Sequence, residues 1–260
     1  MDLHLHNKVI LITGGAKGIG AAIARACARE LAFVVIADKD AEAGDRISDE
    51  LANAGLTFGF RTTDLTDAAE CKTLVAWTLE EFHRLDALVN NAGINDGIGL
   101  ASGSPEKFRA SLERNLLHIY NLTHYALPAL KQSRGSIVNI SSKTAVTGQG
   151  NTSGYVASKA AILGLTREWA VELLPDGIRV NAVLPAEVMT PLYESWLAKF
   201  PDPAQARARI EAKIPLGHRM TTAEEIAATV LFLLSDQSSH TTGQHLFVDG
   251  GYVHLDRALS

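Results

Sequence analysis

Tyr155 and Lys159 are the residues whose types and spacing most directly suggest chemistry. They stand four positions apart in a helical stretch, residues 154–164, so both side chains project from one face. A tyrosine acts as a general base only when its pKa, about 10 in water, falls toward the working pH, and a nearby cation favours the phenolate. Ser142 lies 13 residues before Tyr155, at the end of a predicted strand. The three residues together predict acid–base catalysis.

A glycine-rich turn directly after the first predicted strand is typical of dinucleotide binding. Residues 13–20 read Thr-Gly-Gly-Ala-Lys-Gly-Ile-Gly. Glycines there permit a tight turn, and backbone N–H groups can then approach a pyrophosphate at the positive end of a helix. The strand before and the helix after supply the context that the motif requires. The residues predicted to bind the cofactor in this turn are Gly14, Lys17, Gly18, Ile19 and Gly20.

Asp38, which closes the second strand 18 positions past Gly20, predicts which dinucleotide binds. Its carboxylate can accept hydrogen bonds from both ribose hydroxyls and would repel a 2′-phosphate, so NAD is favoured over NADP. Lys39 beside it weakens this preference. The alternative is that Asp38 caps the following helix. Further cofactor residues are predicted where the third and fourth strands end: Asp64, Leu65, Asn91, Ala92 and Gly93.

The elements that must position these residues alternate between short β-branched runs and longer helical stretches. This alternation predicts βαβ units and a parallel sheet with helices on both faces. No linker or composition break divides the chain, so residues 1–260 are predicted to form a single domain. Residues 190–219, with four prolines, depart from the alternation and are predicted to be a small lid insertion. The seven predicted strands are residues 9–12, 33–37, 57–61, 87–90, 135–140, 179–183 and 245–248.

Composition excludes several classes of protein. The 260 residues are 47% hydrophobic, and no apolar run approaches the roughly 18 residues that span a bilayer. The net charge of −5, without a basic run, predicts no nucleic-acid or membrane partner. Cys27, Cys71 and the scattered histidines lack metal-ligand spacing, so no metal site is expected. Two reduced core thiols and a start without a secretory signal predict a cytoplasmic protein.

The motifs resemble, in order and spacing, those of the short-chain dehydrogenase/reductase family over essentially the whole chain. The resemblance implies a Rossmann fold and a nicotinamide-dependent oxidoreductase. Tyr155 would take the substrate hydroxyl proton while Ser142 holds the reacting oxygen. Lys159 would bind the nicotinamide ribose and lower the pKa of Tyr155, and Asn115 would support a water-linked proton relay through Lys159. The alternative for Asn115 is a surface helix residue.

The chain departs from the family pattern after the sixth strand. Residues 185–190 read Pro-Ala-Glu-Val-Met-Thr where most members carry Pro-Gly. Pro185, the backbone N–H of Val188 and the hydroxyl of Thr190 still match the positions that bind the nicotinamide carboxamide in the family. Glu187 places a carboxylate near the substrate mouth. The resemblance also implies a homotetramer.

Three loops expected to line the substrate side are unusually polar. A sugar requires many paired donors and acceptors, whereas a steroid or fatty-acyl chain requires apolar walls, so the loops favour a sugar substrate. The alternative is that about half of these residues only cap turns or face solvent. The residues predicted to contact the sugar are Asn95, Lys143, Gln149, Asn151 and Glu187.

Five segments, residues 95–100, 111–116, 141–155, 185–193 and 254–259, resemble the bacterial L-fucose dehydrogenases of this family. This resemblance implies NAD-dependent oxidation of the anomeric hydroxyl of L-fucose or a related aldose to the lactone. Two alternatives stay open. One is a 3-oxoacyl or hydroxysteroid reductase of the same family, and the other is a protein that senses NAD without turnover.

Overall fold

Seven strands form one sheet in the computed structural model, which describes residues 2–255. The central strands β1, β4 and β5 are fully buried, whereas β3 and β7 at the two edges are only partly buried. All strand pairs are parallel, and the order is β3-β2-β1-β4-β5-β6-β7. The predicted parallel sheet is therefore confirmed, with each strand placed within a few residues of its predicted limits. The strands are β1 Val9–Thr13, β2 Phe33–Asp38, β3 Phe58–Thr62, β4 Ala87–Asn90, β5 Ser136–Ile140, β6 Arg179–Pro185 and β7 His245–Val248.

Helices cover both faces of the sheet because the central strands are apolar on both sides. Ile10 and Ile12 of β1 pack toward one core, whereas Val9 and Leu11 pack toward the other. Helices α1, α2 and α10 cover the first core, and α3, α5 and α7 cover the second. The helices are α1 Gly18–Arg29, α2 Ala41–Asn53, α3 Ala68–Phe82, α4 Pro105–Leu112, α5 His118–Ser133, α6 Thr144–Thr147, α7 Ser153–Glu172, α8 Pro191–Leu197, α9 Pro203–Glu211 and α10 Ala223–Leu234.

A π-helical turn, Glu113–Leu117, joins α4 to α5. Such turns widen the helix by one residue, and they occur frequently at functional sites. Asn115 lies at the middle of this turn and is fully buried. The alternative that Asn115 is a surface residue is therefore wrong, because the turn points its amide toward the loop after β4.

Buried amides connect the centre of the sheet to the helices behind it. Asn90 of β4 donates to Asn139 of β5 over 2.9 Å and to Thr123 of α5 over 3.2 Å. Asn139 in turn donates to Thr166 of α7 over 3.0 Å. Helix α7, which carries Tyr155 and Lys159, and helix α5, which follows the turn with Asn115, are thereby tied to the central strands.

The segment predicted to be a lid insertion, residues 190–219, contains α8 and α9, each begun by a capping side chain, Thr190 and Asp202. Pro191, Leu192, Tyr193 and Ser195 of this insertion line the cleft described below. Residues 256–259 of the last segment quoted above lie outside the described residues. Between residues 2 and 255 no helix combines the length and apolar character needed to cross a membrane.

Candidate active site

In the glycine turn, residues 13–20, backbone atoms of the start of the turn pack closely against those of its end. A Cβ added at Gly20 would lie 2.1 Å from the Gly14 carbonyl oxygen, so no side chain fits there. The Asn91 amide donates to the carbonyls of Thr13 and Gly14 over 2.9 and 3.0 Å and holds the turn against the loop after β4. Within the described residues, no side chain caps the start of α1. Its first N–H groups therefore suit an anion such as a pyrophosphate.

Thr13 at the end of β1 positions the neighbouring loop. Its hydroxyl accepts the N–H groups of Asn91 and Ala92, each over 3.0 Å, and donates to the Val89 carbonyl over 3.3 Å. Sequence reasoning missed this residue. The available signal was a hydroxyl residue that ends a wholly apolar strand immediately before the glycine turn.

Asp38 is placed at the edge of the cleft by two backbone contacts. One carboxylate oxygen accepts the Ala16 N–H and the other accepts the Asp40 N–H, each over 3.1 Å. The residue that caps α2 is Asp40, whose carboxylate accepts the Ala43 N–H over 3.0 Å. The alternative that Asp38 is the helix cap is therefore wrong. Lys17 forms an ion pair with Asp40 at the same edge.

Asp64 and Leu65 follow β3 and also line the cleft. The Asp64 carboxylate accepts both the hydroxyl and the N–H of Thr66, over 2.7 and 3.0 Å. These hydrogen bonds hold the pKa of Asp64 below its usual value. Asp64 consequently stays ionised at neutral pH.

Lys159 is buried in the floor of the cleft. Its ammonium donates to the Ile140 carbonyl over 2.7 Å and lies 5.6 Å from the centroid of the Tyr155 ring. Burial lowers the pKa of Lys159 to about 8. A nearly desolvated cation next to a tyrosine is the arrangement that the sequence predicted.

Tyr155 and Ser142 both line the cleft, and the Ser142 hydroxyl is close enough to the Tyr155 phenol to influence its pKa. Burial raises the pKa of Tyr155, the Ser142 hydroxyl opposes that rise, and the charge of Glu187 adds to it. Ser142 also accepts the N–H and hydroxyl of Thr144, over 3.2 and 3.0 Å, which fixes its orientation. Tyr155 in this state is a neutral phenol, and it needs additional positive charge nearby to act as a base.

Asn115 holds the loop that follows β4 in place. Its amide oxygen accepts the Ile94 N–H over 2.7 Å, and its amide nitrogen donates to the Ser111 carbonyl over 3.0 Å. A Cβ at Gly93 would lie 3.2 Å from both the Asn115 amide oxygen and the Lys159 nitrogen. Gly93 therefore packs closely against Asn115 and Lys159, and a side chain at this position would crowd both.

The predicted substrate residues fall into two groups. Lys143 and Glu187 form a buried ion pair, and the Tyr193 hydroxyl donates to the other Glu187 oxygen over 2.7 Å. We call Lys143, Glu187 and Tyr193 the charged cluster. The Lys143 ammonium also lies 3.9 Å from the ring centroid of Tyr252, a contact that sequence reasoning did not find. The charged cluster is close enough to Tyr155 for the Glu187 charge to influence its pKa.

Asn95, Gln149 and Asn151 form the second group, on exposed loops farther out. Asn95 accepts the Thr152 hydroxyl over 2.5 Å and donates to Gln149 over a long 3.5 Å. Asn151 adopts a left-handed conformation with φ of 53°, and its backbone packs beside Gly99. In the described part of the chain no hydrogen bond joins this group to the charged cluster. Asn95 stabilises its own loop. This role agrees with the alternative that about half of the polar loop residues only cap turns or face solvent.

One cleft of about 810 Å³ collects most of the predicted residues along the carboxyl ends of the strands. Ser142, Tyr155 and Lys159 line it, and so does every predicted cofactor residue except Gly20, which lies behind the turn. Asn115 lies behind its wall. Residues that line the cleft without having been predicted include Ala110, Glu113, Arg114 and His118. These residues lie on α4, the π-helical turn and α5. Only tertiary packing brings these elements to the cleft, so no local sequence pattern indicated them.

Ligands bind at the point where the strand order of an open parallel sheet reverses, which here lies between β1 and β4. A dinucleotide cradle at that point, opposite a half-buried tyrosine and a buried lysine, defines the class of nicotinamide-dependent oxidoreductases. A family model described as enoyl-(acyl carrier protein) reductase matches residues 14–253. The chain belongs to the short-chain dehydrogenase/reductase family.

Individual relatives cover nearly the whole chain. L-fucose dehydrogenase of Bos taurus is 40% identical over 96% of this chain and 91% of its own length. The 3-oxoacyl-[acyl-carrier-protein] reductase FabG of Thermotoga maritima is 38% identical over 96% of this chain and all of its own. The crystal structure of the dehydrogenase Cj0485 superposes with a TM-score of 0.95 at 49% identity, covering 100% of this chain and 99% of that one. The protein is thus an oxidoreductase that uses a nicotinamide cofactor, which favours an enzyme over a non-catalytic sensor.

Proposed function

We propose that the protein oxidises a sugar hydroxyl with NAD, namely the anomeric hydroxyl of L-fucose or a related aldose, to the lactone. The observation that carries this proposal is the charged cluster: Tyr193 lines the cleft, and Glu187 lies close enough to Tyr155 for its charge to influence the tyrosine pKa. Similarity to L-fucose dehydrogenases over nearly the whole chain supports it.

The charged cluster suits a polyhydroxylated substrate. Glu187 can accept hydrogen bonds from sugar hydroxyls, and the Lys143 ammonium can donate to them. A sugar hydroxyl that replaces the Tyr193 hydroxyl as hydrogen-bond donor would preserve the hydrogen bonding of the Glu187 carboxylate. An apolar steroid or acyl chain would instead cover a buried ion pair without giving it a partner, which is costly. The cluster therefore favours a sugar.

The chain's own groups supply the acid–base part of this reaction. Ser142 holds the reacting oxygen, and Tyr155 removes the hydroxyl proton from it. Lys159 stabilises the phenolate form of Tyr155. Asn115 holds the loop at Ile94 in place. Pro185, Val188 and Thr190 line the cleft and would hold the nicotinamide, whose ring, when bound, accepts the hydride.

NAD is the proposed dinucleotide because Asp38 presents its carboxylate at the edge of the cleft. Each of its oxygens accepts one backbone N–H, and lone pairs remain for ribose hydroxyls. A 2′-phosphate would meet the negative charges of Asp38 and Asp40 together. The pairing of Lys17 with Asp40 reduces the positive charge that such a phosphate would need.

A substrate panel tests the proposal. Purified enzyme with NAD should produce NADH with L-fucose, D-arabinose or L-galactose, and it should turn over hydroxysteroids and, in the reductive direction, 3-oxoacyl thioesters far more slowly. Glu187→Gln should lower kcat/KM for the sugar by about tenfold or more, since one strong charged acceptor is lost. Absence of activity with all three sugars would reject the sugar assignment.

Reduction of a 3-oxoacyl thioester is the second candidate, on the observation that the Thermotoga maritima reductase is 38% identical over its full length. Activity with acyl thioesters and not with sugars in the same panel would select it. A hydroxysteroid reductase would be selected in the same way by steroid turnover.

Three further expectations accompany the proposed function. A cytoplasmic location agrees with two buried free thiols, Cys27 and Cys71. A homotetramer agrees with exposed apolar residues on neighbouring helices, among them Tyr120 and Val171. The whole chain is proposed to work as one domain, since the cofactor and catalytic residues come from opposite halves of a common sheet.

A further inference from the structure

An ion pair beside the cleft takes no part in the steps above. Asp96 lies in the loop after β4, three residues past Gly93, and only 11% of its side chain is exposed. One of its carboxylate oxygens accepts the Ser111 hydroxyl over 3.0 Å, and the other accepts the Arg114 guanidinium over 2.8 Å. We call Asp96, Ser111 and Arg114 the Asp96 clamp. A carboxylate with so little exposure needs partners in a defined geometry, so the clamp holds the loop against α4 and the π-helical turn.

Ser111 connects the Asp96 clamp to two catalytic elements. It is fully buried, its carbonyl accepts the Asn115 amide nitrogen over 3.0 Å, and its hydroxyl oxygen lies 3.5 Å from the same nitrogen. A Cβ added at Gly154 would lie 2.4 Å from the Ser111 hydroxyl oxygen, so this oxygen packs directly against the residue before Tyr155. The position of the hydroxyl that donates to Asp96 therefore constrains both Asn115 and the start of α7.

The loop that carries Asp96 is also joined directly to the start of α7. The Gly154 N–H donates to the Ile98 carbonyl over 3.3 Å, and a Cβ added at Gly99 would lie 2.9 Å from the Asn151 Cα atom. The beginning of the same loop is held by the π-helical turn, as described above. Asp96 lies between these two attachments. Its carboxylate thus holds the middle of a connection that runs from the catalytic asparagine to the helix of the catalytic tyrosine.

We propose that Asp96 is a positioning residue for the dehydrogenase reaction, which holds Ser111 in place and thereby sets the relative placement of Asn115 and Tyr155. General-base catalysis requires the base to lie within hydrogen-bond reach of the proton that it removes. A displacement of about 1 Å in an active site costs on the order of 100-fold in rate, so a residue that acts through its neighbours controls kcat. Arg114 neutralises the carboxylate that does this work.

Two substitutions at Asp96 in the full-length enzyme test the proposal. Asp96→Ala removes both hydrogen bonds of the clamp. Asp96→Asn keeps them, because its amide oxygen accepts from Arg114 while its amide nitrogen donates to the Ser111 hydroxyl. Asp96→Ala should lower kcat by about fivefold or more, with the Kd for NADH within about twofold of wild type, and Asp96→Asn should retain a kcat at least about threefold above that of Asp96→Ala.

The rates are expressed per NADH-binding site, counted by titration of NADH fluorescence, so that unfolded molecules do not contribute. A smaller loss of kcat per site in Asp96→Ala would overturn the proposal, because a merely structural residue changes only the number of folded sites. Losses in Asp96→Ala and Asp96→Asn that differ less than stated would also overturn it, since the charge and not the placement would then matter.

Asp176→Ala is the matched control. It breaks a 2.9 Å ion pair with Lys131, at the opposite edge of the sheet where the strands begin, and should leave kcat per site unchanged. If Asp96→Ala does not fold, Ser111→Ala takes its place, because it removes the hydroxyl through which Asp96 acts. It should also lower kcat per site by about fivefold or more, and a smaller loss would reject the assignment.

Amide hydrogen exchange provides a readout that does not depend on turnover. In Asp96→Ala the N–H groups of Ile94 and Gly154, which lie at the two attachments of the loop, should exchange about tenfold faster or more, while that of Leu11 in β1 keeps its wild-type rate. Unchanged exchange at Ile94 and Gly154, or equal acceleration at all three positions, would contradict the proposal. The kinetic measurements use whichever alcohol the wild-type enzyme oxidises, so failure of L-fucose as a substrate leaves this test intact.

Discussion

Lys159 keeps its positive charge in buried surroundings that disfavour it, and its ammonium donates a hydrogen bond to the Ile140 carbonyl. The same burial raises the pKa of Tyr155. Two effects on the pKa of Tyr155 therefore oppose each other, because the positive charge of Lys159 favours the phenolate and burial disfavours it. Sequence spacing predicted that the pair shares a helix face, but the balance between burial and charge depends on neighbours such as Ile140 and Glu187, which come from distant parts of the chain.

Replacing Tyr155 with phenylalanine should remove the general base while preserving the ring. We expect kcat to fall about 100-fold or more, in line with the usual contribution of a positioned base. Tyr120→Phe, on an exposed face of α5, is the control and should retain full activity. Turnover of Tyr155→Phe within tenfold of wild type, with an unchanged circular dichroism spectrum, would remove Tyr155 from this role.

Replacing Lys159 with methionine should stabilise the protein below pH 8. The folded pKa of Lys159 is about 8, against 10.5 in the unfolded chain, so burial of the charge costs stability that is regained as pH rises from about 8 to 10.5. We expect the variant to be more stable than wild type by up to about 3 kcal/mol at pH 7, with the difference shrinking by pH 10. Urea unfolding at both pH values measures it, and a difference that does not depend on pH would contradict the assignment.

Replacing Asp38 with alanine should improve the use of NADP relative to NAD. Loss of its negative charge removes repulsion of the 2′-phosphate and removes an acceptor for the ribose hydroxyls. We expect the ratio of kcat/KM for NAD to that for NADP to fall about tenfold or more, as for loss of a charged hydrogen bond. Asp45→Ala on the exposed side of α2 is the matched control. Unchanged selectivity would show that Asp38 does not read the ribose.

Secondary-structure elements divide clearly into those that the sequence predicts and those that it does not. The strands and α1 are predicted because their apolar runs and glycine turn are local signals. The π-helical turn has no such signal, since its extra residue is stabilised by Asn115 bonding to Ile94 and by the fit of Gly93 against Lys159. The charged cluster likewise joins loops after β5 and β6 to α8, and only the folded chain brings them together.

Two glycine substitutions of the same type should have opposite effects on their helices. Gly20→Ala places a methyl 2.1 Å from the Gly14 carbonyl, so it should distort the glycine turn, destabilise the protein and abolish NAD binding. Within the described residues no heavy atom lies within 4 Å of a Cβ at Gly164, inside α7. Gly164→Ala should therefore raise stability by about 0.5–1 kcal/mol. Thermal unfolding with and without NAD measures both, and a Gly20→Ala enzyme that still binds NAD would refute the packing argument.

At the scale of the whole molecule, the proposed homotetramer predicts a particle of four times the chain mass of 27.9 kDa. Light scattering coupled to size-exclusion chromatography measures it. Tyr120→Glu places a charge on the exposed apolar face of α5 and should reduce the mass of the particle if that face is an interface. A wild-type mass of one chain at micromolar concentration would reject the tetramer.

The residues expected to determine coenzyme preference and those expected to determine substrate choice come from different parts of the chain. Residues up to the end of β3 at Thr62 supply the glycine turn and Asp38, whereas Ser142, Tyr155 and the charged cluster all come later. The two parts meet in the sheet through the pairing of β1 with β4. Recombination with a relative at the loop after β3 should consequently transplant coenzyme preference without altering the choice of alcohol, so family members can exchange these traits as modules.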